Sequence, residues 1–244
     1  MQTGMTGPER LRALDEMARE AAVCERCPQL VESRSQVVFG SGSAEAGLMF
    51  VGEAPGASED REGIPFVGAS GKLLDGLLEG IGLSRDDVFI ANVLKCRPPE
   101  NRDPNPAEVA NCSPWLEGQI ALIRPSLVVT LGNFATRLLR GSPEGIGKVR
   151  GREEVIELGQ LRVRLYPVFH PAAALYRRPN LAILEEDFAR IPALVAMGPP
   201  EQPALNEQTG DGSAAASDRG GDNRGRSAGE TENPGGEDDQ LGLF

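Results

Sequence analysis

Hydrophobic and polar residues follow two periods along the chain, which predicts alternating strands and helices. Short apolar runs typical of buried strands lie at residues 48–51, 88–93, 127–131 and 167–169. Apolar residues at helical spacing predict helices over residues 8–23, 72–81, 106–123, 133–139 and 181–195. Residues 155–158 and 161–165 flank Gly159-Gln160 and predict a hairpin. Strands that alternate with helices favour an α/β class, a three-layer α/β/α fold around a central four-stranded parallel sheet.

The composition changes at residue 198 and divides the chain into a body and a tail. From 198 to 239 the chain is rich in Gly, Ser, Asp, Glu, Asn and Pro. Such a segment buries too little apolar surface to offset the entropy lost on ordering. We therefore expect one folded domain over residues 1–197, a disordered acidic tail over 198–239, and a separate short peptide at 240–244.

The net charge of the 244 residues, −11, is concentrated in this tail. Residues 198–244 carry ten acidic residues and three arginines, so the body has a net charge of only −4. Phosphates respond to the local potential, so the overall acidity does not exclude a nucleic-acid partner. No apolar run approaches the ~18 residues of a membrane span, and residues 1–20 lack the apolar core of a signal peptide. We expect a cytoplasmic protein without membrane association.

Polar residues follow three of the predicted strands at their carboxyl ends, where parallel sheets bind ligands. Glu53 follows the first strand, Asn92 lies at the end of the second, and His170 follows the last. Each has a structural alternative: a helix cap for the acid, a turn for the amide, and a satisfied core position for the histidine. Their joint placement at three strand ends favours a single binding site.

Two loops rich in glycine surround these residues. The sequence GEAPG at residues 52–56 lets the backbone approach a planar ligand closely. The sequence GIPFVG at residues 63–68 places Phe66 on a constrained loop, which suits stacking on a flat ring. The alternative is that Phe66 fills the core.

The four cysteines of the chain form a plausible ligand set. Cys24 and Cys27 are a C-x2-C pair, and Cys96 and Cys112 have fifteen residues between them. Four thiolates suit a zinc ion or a 4Fe–4S cluster, and their spacing does not separate the two. Structural thiols without a ligand are the third interpretation.

Four short motifs contain most of these residues: GEAPG at 52–56, GIPFVG at 63–68, NVLKCRPP at 92–99 and FHP at 169–171. Together they resemble the family 4 uracil-DNA glycosylases, the iron–sulfur branch of that superfamily. The resemblance runs from about residue 24 to about residue 195 and includes the order and approximate spacing of the cysteines. It implies uracil-containing DNA as the substrate. It also implies a 4Fe–4S cluster, rather than zinc, with the ligands Cys24, Cys27, Cys96 and Cys112.

The resemblance also implies a role for each candidate residue. Phe66 would stack on an extruded uracil, and Asn92 would accept from its N3–H and donate to its O4. Cytosine presents the opposite pattern at these atoms, so a fixed amide distinguishes the two bases. His170 would stabilise the negative charge on the leaving base, and Glu53 would position the attacking water or stabilise the cationic sugar.

The chain departs from the better-known relatives at several positions. Ala54 and Gly56 stand where those proteins have an Asp that helps to activate water and a Tyr that excludes the thymine methyl. Ala172 replaces a Ser that binds phosphate, and the wedge residue is Leu175 or Tyr176, of which we favour Leu175. The other expected DNA contacts are Lys95, Arg97, Arg177 and Arg178.

Two other functions compete with excision of uracil. A catalytically inactive iron–sulfur relative that binds nucleic acid would be favoured by the loss of Asn92 or His170, and both are present. A zinc-bound nucleotide hydrolase would need more metal-binding acids or histidines, and a single histidine argues against it. We expect an active, monomeric glycosylase.

The last five residues form an apolar cluster after the polar tail. They are Gln240, Leu241, Gly242, Leu243 and Phe244. They resemble the Gln-Leu-x-Leu-Phe peptide by which bacterial replication and repair proteins dock on the DNA polymerase sliding clamp. A tether over residues 198–239 spans roughly 35 Å, which would keep the enzyme near the replication fork and the nucleoid.

Overall fold

A six-stranded mixed sheet is the centre of the part of the chain that the computed structural model describes, residues 5–159 and 161–202. Its strands are β1 (Ser41–Gly42), β2 (Leu48–Gly52), β3 (Phe89–Asn92), β4 (Leu127–Leu131), β5 (Glu154–Leu158) and β6 (Leu161–Val168). Their order across the sheet is β1-β3-β2-β4-β6-β5. The four inner strands are parallel, as predicted, and the edge strands β1 and β5 are antiparallel to their neighbours. The predicted central four-stranded parallel sheet did not include these two edge strands, of which β5 forms the predicted hairpin with β6.

Helices cover both faces of the sheet, which confirms the three-layer prediction. They are α1 (Gly7–Ala22), α2 (Pro28–Ser33), α3 (Ala57–Glu62), α4 (Ala69–Gly80), α5 (Pro106–Ile123), α6 (Asn133–Arg140), α7 (Ile146–Val149), α8 (Ala172–Tyr176), α9 (Pro179–Ala189) and α10 (Ile191–Ala196). Leu14 of α1 and Leu116 of α5 belong to the apolar cluster on one face, and Leu74 of α4 and Leu184 of α9 to that on the other. No helix in the described ranges is long and apolar enough to cross a membrane.

The inner strands form because their residues are apolar on both faces. Every residue of β2 and β4 is buried, which is the continuous pattern expected of parallel strands between two helical layers. Within this sheet Met49 of β2 is in register with Phe89 of β3 and Val128 of β4. The carboxyl ends of β2, β3, β4 and β6 consequently lie along the same edge of the sheet.

Two predicted boundaries were wrong, each for a local reason. The predicted strands at 161–165 and 167–169 are one strand, β6, in which the pattern changes from half-buried to fully buried. The change of pattern predicts a boundary between two strands, but the backbone continues as one strand. The predicted helix at 181–195 is two helices, α9 and α10, because Pro192 has no N–H to donate to the carbonyl of Phe188.

The start of the predicted tail lies against the body. The Gln202 side chain accepts a hydrogen bond from the Arg162 N–H at 3.0 Å and donates one to its carbonyl at 2.8 Å. The remainder of the predicted tail, residues 203–239, and the apolar peptide at 240–244 lie outside the described residues, as does Gln160 of the predicted hairpin.

Candidate active site and cysteine cavity

The carboxyl ends of β2 and β3 bring the first group of predicted site residues together. Gly52 is in register with Asn92, and a Cβ on residue 52 would overlap the Asn92 Oδ1 and lie 2.7 Å from the Cζ of Phe66. Only glycine therefore allows the amide and the ring to come so close. Phe66 stacks in turn on His170, with ring centroids 5.5 Å apart and planes at 29°. The structure therefore brings Asn92, Phe66 and His170 together at the strand ends.

The side-chain oxygen of Asn92 is buried without a hydrogen-bond donor in the described part of the chain. The residue is 2% exposed, and its Oδ1 has no hydrogen-bond partner among the residues that the structure describes. Burying a carbonyl oxygen without a donor costs about 1–3 kcal/mol. An uncompensated acceptor at a strand end is expected where the missing donor belongs to a ligand.

His170 is held as a neutral hydrogen-bond donor. Its Nδ1 accepts a hydrogen bond from the Ala172 N–H at 3.1 Å, so the ring proton lies on Nε2. Burial lowers the pKa of His170 to about 4, although the Glu59 carboxylate opposes the shift. At neutral pH the ring is therefore uncharged, with one N–H available to a ligand.

Glu53 follows Gly52 and is half-buried at the same edge of the sheet. Its backbone carbonyl accepts a hydrogen bond from the Leu94 N–H at 3.0 Å, which ties the GEAPG loop to the segment after β3. Burial, reinforced by the negative charge of Asp103, raises the pKa of Glu53 to about 7. A carboxyl group with this pKa can accept or release a proton near neutral pH.

The loop that carries Phe66 is strained and held at several points. Phe66 has a φ of +54°, which costs a bulky residue about 1–3 kcal/mol. Glu59 accepts hydrogen bonds from the N–H groups of Val67 and Gly68, each at 2.9 Å, through a single carboxylate oxygen. Arg85 donates hydrogen bonds to the backbone carbonyls of Pro65 and Phe66. Sequence reasoning assigned no role to Glu59 or Arg85.

Lys95 lies in the interior, so the prediction that it contacts DNA is wrong. The residue is only 1% exposed. Its Nζ donates to the Asn92 carbonyl at 2.9 Å and to the Gln119 Oε1 at 2.6 Å. Burial lowers the pKa of Lys95 to about 7. The sequence shows a lysine among arginines, and nothing local indicates that this one points inward.

The other predicted DNA contacts lie at or near the surface. Leu175 and Tyr176 are 50% and 64% exposed at the end of α8, a helix that begins two residues after His170. Arg177 and Arg178 follow them and are exposed. Arg97 is half-buried and donates through Nε to the Asn101 Oδ1 at 2.8 Å.

All four cysteines line one cavity, which also contains Arg34, Asn111 and Trp115. Three of the sulfur atoms accept hydrogen bonds. The Arg34 Nη1 lies 3.2 Å from the Cys96 Sγ, the Lys95 N–H donates to the Cys112 Sγ at 3.2 Å, and the Asn111 Nδ2 lies 3.7 Å from the Cys27 Sγ.

The environment of these thiols is apolar as well as rich in donors. Burial raises the pKa of Cys27 and Cys96, and raises that of Cys112 to about 11. Such thiols lose their protons when a metal binds. Within residues 5–159 and 161–202, no three His, Cys, Asp or Glu side chains are grouped around a position for a single metal ion.

The chain is similar in sequence to several known uracil-DNA glycosylases. The model of the uracil DNA glycosylase superfamily matches residues 39–191. The type-4 uracil-DNA glycosylase of Saccharolobus solfataricus is 46% identical over 191 residues, which cover 76% of this chain and 88% of that protein. The type-4 enzyme of Sulfurisphaera tokodaii is 48% identical over 185 residues (73% and 83%), and that of Archaeoglobus fulgidus 42% over 199 residues (80% and 98%). The chain therefore belongs to the uracil-DNA glycosylase superfamily, as a member of the type-4 family.

Proposed function

We propose that this protein extrudes uracil from DNA and hydrolyses its N-glycosidic bond, which releases free uracil and leaves an abasic site for base excision repair. The observation that carries the proposal is the buried Oδ1 of Asn92, which lacks a donor within the described ranges. The N3–H of uracil supplies such a donor. Asn92 and His170 are both in place, which disfavours the alternative of an inactive relative that only binds nucleic acid.

Asn92 and Phe66 perform the recognition of the base in this proposal. The Asn92 Oδ1 accepts from N3–H while its Nδ2 donates to O4, and cytosine reverses both requirements. The Asn92 amide and the Phe66 ring both lie against Gly52, which brings the two recognition groups together. Phe66 provides the aromatic surface for the uracil ring.

His170 and Glu53 act on the charges that develop as the C1′–N1 bond breaks. The bonding electrons leave with the base, whose O2 becomes negative and accepts a hydrogen bond from the His170 Nε2–H. Glu53, as a carboxylate, stabilises the cationic sugar and takes a proton from the water that adds to C1′. Fixed groups directed at developing charge are worth most in a site shielded from water.

The wedge and the arginines hold the DNA while the base is outside the stack. Extrusion costs a few kcal/mol, and an apolar side chain in the vacated space offsets part of it. Leu175 is exposed on α8 close to His170, and Arg177 and Arg178 follow it with access to phosphates. Arg97 lies on the neighbouring loop after β3.

We propose further that Cys24, Cys27, Cys96 and Cys112 hold a 4Fe–4S cluster. Zinc would require four sulfur atoms about 2.3 Å from one ion, whereas a cluster places each thiolate on a separate iron. The shared cavity and the N–H donors to sulfur fit a group held by the four thiolates, and the resemblance to the iron–sulfur family favours the cluster over zinc. When bound, the cluster supplies a structural cross-link between the segment after α1 and the loop after β3.

The enzyme is proposed to act as a monomer on DNA of the cytoplasm and nucleoid. Docking on a sliding clamp through Gln240, Leu241, Leu243 and Phe244 remains a prediction that the residue pattern alone supports. It does not bear on the chemistry at the strand ends.

Replacement of Asn92 by Asp and of His170 by Ala tests the two base contacts. Each variant is expected to lower the single-turnover rate of uracil excision by about 10²–10³-fold, because each loses a hydrogen bond to the base. Circular dichroism and iron content serve as controls and are expected to match those of the wild type. Near-normal rates in both variants would show that these residues do not contact the base.

The pH dependence of excision tests the role of Glu53. Since the carboxylate is the active form and the pKa is about 7, the rate is expected to fall about tenfold per pH unit below 7 and to level off above it. His170, with a pKa of about 4, adds no further change above pH 5. Glu53→Gln is expected to be slow and independent of pH in this range. If the excision rate of Glu53→Gln still falls below pH 7, a group other than Glu53 causes the fall.

Metal analysis tests the cluster. The anaerobically purified protein is expected to contain four irons per chain and to absorb near ~400 nm. Cys112→Ser is expected to lose part of this absorption and to unfold at a lower urea concentration, because a cross-link is weakened. Ser113→Ala, beside it on α5, is the matched control. Stoichiometric zinc without iron would disprove the assignment.

Excision from duplex and from single-stranded DNA tests the wedge. Leu175→Ala is expected to slow excision about tenfold on duplex DNA and little on a single strand, where no base-pair partner or stack has to be replaced. Tyr176→Ala is the matched control at the neighbouring exposed position. If the tyrosine variant alone shows the duplex-specific loss, Tyr176 is the wedge and Leu175 is not.

A further inference from the structure

Arg85 binds the Phe66 loop through the backbone carbonyls of Pro65 and Phe66. The residue begins a short 3₁₀ helix, Arg85–Asp87, that precedes β3. Arg85 and Phe66 are 19 residues apart in sequence. We propose that Arg85 is a positioning residue that fixes the Phe66 ring for stacking on the extruded base. The inference rests on the proposed function, in which Phe66 is the stacking surface.

The guanidinium of Arg85 makes three hydrogen bonds that converge on this loop. Its Nη1 donates to the Pro65 carbonyl at 2.9 Å, and its Nη2 donates to the Phe66 carbonyl. Its Nε donates to the Asp75 Oδ1 of α4 at 2.6 Å, which fixes the orientation of the guanidinium plane. Two adjacent carbonyls and a carboxylate match the planar fork of an arginine, and no other side chain offers this set of donors.

The backbone at Phe66 needs such support because it is strained. An aromatic residue at φ +54° lies outside its preferred backbone regions and persists only where its surroundings determine it. Gly71 of α4 contributes the close packing, since a Cβ there would overlap the Phe66 carbonyl. Glu59 binds the next two N–H groups, those of Val67 and Gly68. Arg85 is the partner of the carbonyls on the other half of the loop.

Loss of these bonds has a defined consequence for the site. Without Arg85 the Phe66 peptide can relax toward an ordinary conformation, and the ring moves relative to His170, on which it stacks. The effect falls on the chemical step after the base has entered the site. Misplacement of a reacting group by about 1 Å can reduce a rate by about 10²-fold.

A double-mutant cycle on the full-length protein with its metal content verified tests the proposal. Single-turnover excision is measured on single-stranded uracil DNA for the wild type, Arg85→Met, Phe66→Ala and the double variant. Arg85→Met is expected to lower the rate constant about 10²-fold in the wild-type background and less than about threefold in the Phe66→Ala background. Arg85→Lys, which can bind one carbonyl, is expected to lie between the wild type and Arg85→Met.

With the enzyme in saturating excess over the DNA, the single-turnover rate constant does not depend on the fraction of enzyme that is unfolded, so it separates positioning from folding. Arg140→Met is the matched control: it removes an arginine that pairs with Glu144 and Glu154 at the end of α6, and a wild-type rate is expected. An unchanged rate constant in Arg85→Met, or an equal loss in both backgrounds, would overturn the role of Arg85 alone. A normal rate in Phe66→Ala would instead remove the stacking role from the proposed function, and the inference about Arg85 with it.

Discussion

The close approach of backbone and side chains at Gly52 is the constraint on which the candidate site depends. Parallel pairing of β2 and β3 places Gly52 beside Asn92, and the space where a side chain would lie is taken by the Asn92 amide and the Phe66 ring. Phe66 in turn packs on His170, which follows β6. A substitution at this glycine would therefore disturb the amide, the ring and the histidine together. One position without a side chain sets the dimensions of the site.

A buried polar network joins this site to the cysteine cavity. The Lys95 Nζ binds the carbonyl of Asn92, while the Lys95 N–H donates to the Cys112 Sγ. Gln119 accepts from the same Nζ and donates to the Phe39 carbonyl, which links α5 to the segment before β1. Since buried hydrogen-bonded groups are costly to separate, this network couples the Asn92 carbonyl to the cysteine cavity. A cluster held by the four cysteines, as proposed, would therefore stabilise the strand end that carries Asn92.

The sequence predicted those parts of the structure that depend on local pattern. The inner strands are continuous apolar runs, and residues directly after a parallel strand lie at its ligand-binding edge, so Glu53, Asn92 and His170 could be placed together. The direction of Lys95 could not be predicted, because its partner Gln119 is 24 residues away. The role of Arg85 was missed for the same reason, because the carbonyl of Phe66 that its guanidinium binds is 19 residues away in sequence. Patterns over a few residues predict elements and their ends, whereas a long side chain finds its partners through the packing of elements.

Burial shifts the pKa values of Glu53 and His170 in opposite directions, and both shifts favour the proposed hydrolysis. It raises the pKa of Glu53 toward neutrality and keeps His170 uncharged. A strongly acidic Glu53 would be a poor acceptor for the proton of water. In the proposed mechanism the neutral Nε2–H of His170 meets a base that becomes negative only as the bond stretches, and the Glu53 carboxylate meets a sugar that becomes cationic at the same stage. The interactions therefore grow with the charge separation of the transition state, and this difference from the ground state accelerates the reaction.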